Sequence, residues 1–545
     1  MFLERIEVLG FRGIHRLSVT FQQTTALIGE NTWGKTSLLR ALWSLLGQGE
    51  TPYEFEIADF HCPDDPELPI ARHLQLILTF REYKPDICVH SSRLCRLKPI
   101  WCKGRDGVHR IYYRAAADWL ADDNVASEHG FLDQFGRTLQ LDDTDKLLHL
   151  LMLMNPVLRL RDTRSARDTS GSLGEEWASQ LAQVSRQILD EEATGLDAPT
   201  LQQGMAAIHH LMSHYLSNVP PIRMRPRSAR DIVTKPTNLR GLNSLQELLH
   251  SANGRAVKLA MAALGGALLN ARGDREIDPE SRPILILEDP ESRLHPTMLA
   301  LAWGLFEQLP GQKILTTNSG DLLSTIPLGQ IRRLVRRAHE TLAFNLNDEQ
   351  FSAEDLRRIA FHVRLNRPMS LFARCWLLVE GETEIWLLSE LAAICGYSLR
   401  SEGVRIIEFA QCGVSPLIKA ARDLGIEWHL LADGDPAGMK YAASVRSHLK
   451  GEREKDRLTL LPAHDIEHFL FHHGFEEVYR REAGMSRQLP SLPAGKIIER
   501  AINHRSKPAL ALCVVEAAER AGAENMPLLL RQLFARVIGL ARQQG

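Results

Sequence analysis

Gly29-Glu30-Asn31-Thr32-Trp33-Gly34-Lys35-Thr36 is the stretch from which the fold of this chain is read. It fits G-x4-G-K-S/T without a mismatch, follows the apolar run 24–28, and leads into a helical pattern from Lys35 to Leu46. The spacing has a chemical reason. Glycines let the loop turn so that successive backbone N–H groups face inward around phosphates. The helix adds its positive N-terminal end, and Lys35 supplies a point charge for a nucleotide's β- and γ-phosphates. Thr36 offers a hydroxyl to a magnesium ion.

Such a loop needs an acidic partner on a neighbouring strand. Leu285-Ile286-Leu287-Glu288-Asp289-Pro290-Glu291 supplies an apolar strand with adjacent carboxylates at its C-terminal edge, where α/β sheets place ligands. Glu288 is assigned to the magnesium shell, and Asp289 to orienting or deprotonating the attacking water. The order strand 283–288, helix from about Pro296, strand 313–317 predicts a parallel sheet covered by helices. Upstream, 3–9, 15–21, 73–80 and 109–114 read as strands, and the leucine-rich 145–160 as helix.

A fresh alternation of strands and helices begins near residue 371. Strands 375–380, 404–409 and 428–433 alternate with helices 383–396, 414–424 and 436–450, and the tail 495–542 reads as helices. Two acidic sets mark strand ends: Glu380-Gly381-Glu382-Thr383-Glu384 and Asp433-Gly434-Asp435-Pro436-Ala437-Gly438. One parallel sheet can bring them together. Hard oxygen ligands from two strands favour magnesium or manganese over zinc, and two such ions can activate water on a phosphodiester. No tyrosine lies close to either motif in a way that requires a covalent strand-passage mechanism.

The first half resembles the ABC-type ATPases of the RecF and SMC group. The likeness rests on Phe11-Arg12, the early phosphate loop, and Ser292-Arg293-Leu294-His295-Pro296 after the acidic strand. It implies ATP as the nucleotide, with Arg12 and Ser37 joining Gly29 to Thr36 and Glu288 around it. In that group a second protomer completes the site through a serine-glycine motif, here the degenerate Ser251-Ala252-Asn253-Gly254-Arg255. Asp289 and Asn318 depart from the group's glutamate and histidine, so ATP binding is expected ahead of fast hydrolysis. The second half resembles the Toprim domain through Glu380-Gly381 and Asp433-Gly434-Asp435. An ATPase of this kind followed by Toprim resembles the OLD family of ATP-dependent endonucleases, and its YbjD-type branch over essentially the whole chain. By that resemblance Glu467, in His464-Asp465-Ile466-Glu467-His468, is a second metal ligand. Lys507, in Ser506-Lys507-Pro508, neutralises charge developing on phosphate. A helical insertion at about 165–220 is a dimerisation arm.

With 545 residues, two α/β domains are expected, 1–370 and 371–545. Lysine plus arginine is 65 against 67 aspartate plus glutamate, a net charge of −2 that excludes retention on nucleic acid by overall charge. No apolar run reaches about 18 residues, so no membrane span is expected. Eight scattered cysteines predict reduced thiols and a cytoplasmic location. Cys88, Cys95 and Cys102, with His61 and Cys62 upstream, read as core thiols ahead of a zinc site. His464 and His468 stand one helical turn apart, and Asp465 and Glu467 between them favour magnesium over zinc. Arg223, Arg225, Arg227 and Arg230 suit either backbone phosphates or a solvated loop. Arg332, Arg333, Arg336 and Arg337 occupy a short strand or helix.

The combined expectation is a homodimeric, ATP-binding, metal-dependent DNA endonuclease. ATP with Mg2+ sits on Gly29 to Ser37, Arg12, Glu288 and Asp289. Phosphodiester hydrolysis, with Mg2+ or Mn2+, occurs at Glu380, Glu384, Asp433, Asp435, Glu467 and Lys507. The rival readings are a non-catalytic SMC- or RecF-like ATP switch that binds DNA, and a primase-like or topoisomerase-like enzyme. Phage defence and DNA repair are both compatible roles, and the residues identify no helicase-like or other protein partner.

Overall fold

The computed structural model describes residues 1–160 and 281–544, apart from 48–50, 64–69, 92, 121–123, 338–339, 486–491 and scattered positions between 293 and 310. The 165–220 insertion, the arginine stretch 223–230, Ser251 to Arg255 and His295 lie outside the described residues. The chain divides into two compact units, Met1–Ala343 and Phe344–Gly545.

In the first unit an antiparallel sheet is built from β1 (Phe2–Phe11), β2 (Ile14–Thr20), β4 (His73–Arg81), β5 (Cys102–Lys103), β6 (His109–Trp119) and β7 (Val125–Leu132). A second sheet runs β12-β11-β3-β10-β9-β8, from β3 (Thr24–Ile28), β8 (Val157–Leu160), β9 (Ile284–Glu288), β10 (Gln312–Thr316), β11 (Ile331–Arg337) and β12 (Glu340–Phe344). β11, β3, β10, β9 and β8 pair in parallel. All five residues of β3 are buried, as a strand covered on both faces requires. Gln312 ties the two sheets together. Its amide accepts from Leu3 N at 2.9 Å and donates to Leu3 O at 2.7 Å and Gln22 O at 3.0 Å, so a buried polar group is satisfied.

The 145–160 helix expectation needs correction. Helix α1 (Lys35–Leu46) is as read, but the next helix, α2 (Thr144–Met154), stops at Asn155 and 157–160 is strand β8. Pro156 is the cause: it has no N–H to continue the helix and it disfavours helical backbone at the residue before it.

The second unit holds a four-stranded parallel sheet in the order β14-β13-β15-β16. Its strands are β13 (Cys375–Val379), β14 (Val404–Glu408), β15 (Glu427–Ala432) and β16 (Leu458–Leu460). Helices α3 (Glu382–Ile394), α4 (Val414–Asp423) and α5 (Pro436–His448) alternate with them, and α6 (Ile466–Leu470), α7 (Lys507–Ala521) and α8 (Leu528–Arg542) follow. Trp376 and Trp428 face each other in register on β13 and β15, both essentially inaccessible. The chain steps from β13 to β14 on one side and then returns to β15 on the other. This makes the C-terminal ends of β13 and β15 the switch point, where parallel sheets open a crevice.

Candidate functional site

At the end of β3, Gly29 and Gly34 adopt φ of 146° and 89°. A Cβ at Gly34 would lie 2.8 Å from the Ile14 side chain, so glycine is required there on two counts. The loop delivers Lys35 to a buried position, where its ammonium donates to Gly29 O and, at 3.2 Å, to Asn318 Oδ1. Burial pushes the Lys35 pKa down, against the pull of Asp289, Glu291 and Glu30. Asn31, Thr32 and Thr36 are exposed, and the Trp33 ring is buried beneath the Arg333 guanidinium, 5.6 Å from its centroid.

β9 and β10 are in register, Glu288 opposite Thr316, which brings the acidic edge beside the turn that holds Asn318. Glu288 Oε2 pairs with Arg159 at 2.5 Å, while Oε1 is buried with no hydrogen-bond partner among the described residues. Asp289 sits at φ 37°, its N–H bonded to Thr316 O at 3.1 Å, and its Oδ1 is likewise buried and without a partner among the described residues. Glu291, to which the sequence reading gave no role, accepts from Thr317 Oγ1 at 2.9 Å and from Asn318 N at 2.5 Å, and so fixes that turn. Arg12, assigned to the nucleotide by resemblance, has its guanidinium 2.6 Å from the fully buried Asp59 carboxylate. Ser37 Oγ accepts from Gly13 N at 3.3 Å.

In the second unit, Glu380 leaves the end of β13 and Gly381 caps α3. Glu384, in the first turn, reaches back so that Oε2 accepts from Gly381 N at 2.6 Å. Asp433 leaves the end of β15, and Asp435 caps α5 by accepting from Gly438 N at 2.6 Å. The two glycines of this turn serve close approach. A Cβ at Gly434 would lie 2.4 Å from Ala463 O, and one at Gly438 would lie 2.0 Å from Asp433 O. Glu380, Glu384, Asp433, Glu467 and Lys507 line one cavity of about 190 Å³, floored by Leu387, Leu470, Tyr479 and Leu510. Asp435 is outside that lining, although its charge reaches Glu380.

The electrostatics of the cluster are those of crowded carboxylates. Burial and then the charges of Glu384 and Glu380 push Asp433 up to about 8. Burial, outweighing the Gly381 hydrogen bond, and the neighbouring Glu380 and Glu467 push Glu384 up to about 7. Lys507 supplies the countercharge, its ammonium 2.9 Å from Glu467 Oε1. Glu380 Oε2 and Asp433 Oδ1 are buried without a hydrogen-bond partner among the described residues. An all-oxygen donor set with orphaned anionic atoms fits a hard divalent cation such as Mg2+ or Mn2+.

Two further groups bear on the site: Asp465, read from the sequence as favouring magnesium, and Tyr441, to which the sequence assigned no role. Asp465 caps α6 by accepting from His468 N at 2.8 Å, and its charge acts on Asp433. Tyr441, on α5, has its phenol pushed up by burial and then by the charges of Glu380 and Asp435. Among the cysteines, Cys88 shares a neighbourhood with Glu82 and His109, but the buried Glu82 carboxylate is already taken by His109 N at 2.7 Å and Cys88 N at 3.2 Å. His464, Asp465 and His468 also lie together, joined by a 2.6 Å bond between His468 Nδ1 and Asp465 Oδ1. The arginines of β11 serve structure in part: Arg332 is buried, and its Nε donates to Thr20 O at 2.8 Å. Among the described residues no helix is long and apolar enough to cross a membrane.

Comparisons with known proteins divide the chain at residue 370, beyond the Ala343 boundary of the first compact unit. The family described as "Protein of unknown function (DUF2813)" matches residues 1–370, and "Overcoming lysogenization defect protein-like, TOPRIM domain" matches 371–435. The "Uncharacterized protein YbjD" of Escherichia coli (strain K12) is 44% identical over 555 residues, covering 99% of both chains. The C-terminal region of the Burkholderia pseudomallei OLD protein aligns with 31% of this chain and 99% of its own, at 18% identity and a TM-score of 0.26. The SMC head domain from Thermotoga maritima aligns with 64% of this chain and 100% of its own, at 12% identity and a TM-score of 0.31. The chain belongs to the DUF2813 family and carries an OLD-like TOPRIM domain from residue 371.

Proposed function

We propose that this protein is an ATP-binding, metal-dependent DNA endonuclease of the OLD type, acting as a homodimer in the cytoplasm, in DNA repair or phage defence. One observation carries the reading. Carboxylates from β13, α3, β15 and α6 meet the Lys507 ammonium in a single cavity, with buried anionic oxygens that no donor among the described residues satisfies. Glu380, Glu384, Asp433, Asp435 and Glu467 are the residues that would hold Mg2+ or Mn2+. Bound there, the cations supply an activated water and charge stabilisation at the phosphodiester. The protein's own part is positional: Gly381 fixes the Glu384 carboxylate, Gly438 lets α5 approach Asp433, and Lys507 faces the charge that grows on phosphate. ATP with Mg2+ is assigned to Gly29 through Ser37, with Glu288 toward the cation and Asp289 toward water.

The test is supercoiled plasmid incubated with the purified protein and Mg2+ or Mn2+, with and without ATP. The expected result is metal-dependent nicking that disappears in Glu380→Ala. Unchanged plasmid alongside intact DNA binding overturns the nuclease in favour of a DNA-binding ATP switch. Religated topoisomers overturn it in favour of a strand-passage enzyme.

A further inference from the structure

Phe409 follows β14, and its N–H donates to Val379 O at 2.8 Å, which places its backbone beside the strand end from which Glu380 leaves. From α5, the Tyr441 ring meets Phe409 edge-on, centroids 4.8 Å apart and planes at 70°. The same helix is held at its first turn by the Asp435 cap and by the glycine contact between Gly438 and Asp433. Tyr441 comes three residues after Gly438, on the face of α5 that turns toward the strand ends. Its ring is therefore fixed from two sides, by α5 and by Phe409. The ring is only half-buried.

The hydroxyl lies within electrostatic reach of Glu380 and Asp435 and makes no hydrogen bond with any described residue. A rigid phenol with an unused O–H donor, standing at the rim of a carboxylate cluster, is chemically distinctive. Like the Tyr479 phenol of the cavity floor it is a neutral donor, but it stands outside the cavity lining, toward Glu380 and Asp435. An incoming phosphate needs donors and gains nothing from carboxylates unless cations intervene.

We infer that Tyr441 is a substrate-contacting residue of this site, donating its hydroxyl to a phosphate oxygen of the nucleic-acid strand beside Glu380. This rests on the proposed nuclease reading for the identity of the substrate. It adds a contact that neither acidic motif contains. No bond to the tyrosine forms or breaks in this role, which separates it from a covalent strand-passage mechanism.

Two variants test it. Tyr441→Phe keeps the ring on Phe409 and removes only the hydroxyl, whereas Tyr441→Ala removes both. A labelled single-stranded oligonucleotide is titrated in an Asp433→Asn background, where binding is read without cleavage. Nicking kinetics are then measured in the otherwise unchanged protein. Tyr441→Phe is expected to weaken binding about tenfold, the worth of one hydrogen bond to a charged group. Its melting temperature stays at the wild-type value, and the loss appears in KM ahead of kcat. Tyr441→Phe that binds and cuts like the unmodified protein overturns the inference while leaving the nuclease intact. Weakened binding by Tyr441→Phe in a protein that never cuts DNA supports the contact while the nuclease reading falls. A covalent DNA adduct lost in Tyr441→Phe overturns the hydrogen-bonding role in favour of a nucleophile.

Discussion

Lys507 Nζ stands 2.9 Å from Glu467 Oε1, joining the first residue of α7 to the middle of α6. Burial draws the lysine's pKa down, but Glu467, Asp465 and Asp433 hold it above its ordinary value, so it stays charged beside the cavity. The pair is half exposed on the lysine side, and an exposed ion pair contributes little to stability. Its weight falls on the chemistry. Lys507→Met is expected to lower the single-turnover cleavage rate by about 10²-fold, the range for removing one preorganised charge donor. The melting temperature should hardly move. A cleavage rate within twofold of the unmodified protein would remove Lys507 from the mechanism.

Gly438→Ala addresses the scaffold of the same site. The added Cβ would meet Asp433 O at 2.0 Å, a contact with backbone that cannot rotate away. α5 must then lift from the end of β15 and take Asp435 with it. A destabilisation of about 1–3 kcal/mol is expected, as for other overpacking changes. Cleavage should fall further than the lost stability explains. Gly539→Ala is the matched control: it lies in α8 with nothing within 4 Å of the added atom, so a slight gain from helix propensity is expected. Equal melting temperatures for Gly438→Ala and the parent chain, in a denaturation series, would contradict this account of the turn.

The nucleotide cradle yields a third expectation. Lys35 is buried and satisfied by Gly29 O and Asn318 Oδ1, an arrangement that positions its ammonium at the mouth of the helix. Lys35→Ala removes the only side-chain cation of Gly29 to Thr36. Binding of a fluorescent ATP analogue should disappear, while metal-dependent nicking in the absence of ATP persists if the two sites are chemically separate. Undiminished analogue binding by Lys35→Ala would refute the phosphate-loop assignment.

How far these sites were legible in the sequence depends on where their geometry comes from. Gly29 to Thr36 could be read directly, because a phosphate cradle is one continuous segment with obligatory spacing. Glu380 and Asp433 could be read because apolar strands ended at them, and a parallel sheet aligns its strand ends. Tyr441 was not legible: its neighbours Phe409 and Glu380 come from other elements, and no periodicity reports an edge-on contact between rings. Asp465 was visible as an acidic residue, but its cap on His468 N–H appears only when α6 starts at Ile466. The strand Val157–Leu160 was absorbed into a helix, since three apolar residues around Arg159 fit either period. For Arg332 the sequence left DNA contact and salt bridge equally open, because donation of its guanidinium to carbonyls of β2 and of the preceding turn depends on the fold.

The final expectation couples metal, proton and stability. Without a cation, burial and mutual repulsion raise Asp433 to about 8 and Glu384 to about 7. In the unfolded chain the same groups titrate near about 4. Between those values the folded state holds more protons than the unfolded state. Stability of the metal-free protein therefore falls as pH rises from about 4 to about 8, the reverse of a salt-bridged carboxylate. A divalent cation competes for the same oxygens, so its stabilising effect should grow over that window. Thermal unfolding in EDTA and in Mg2+ or Mn2+ at pH 5.5 and 8.5 measures both trends. The metal-induced rise in melting temperature is expected to be larger at pH 8.5. Asp433→Asn should be more stable than the parent chain in EDTA at pH 8.5, because it removes a charge that has no partner, and should lose most of the response to metal. A metal response that is equal at both pH values, or unchanged in Asp433→Asn, would show that the cations bind somewhere other than this cluster.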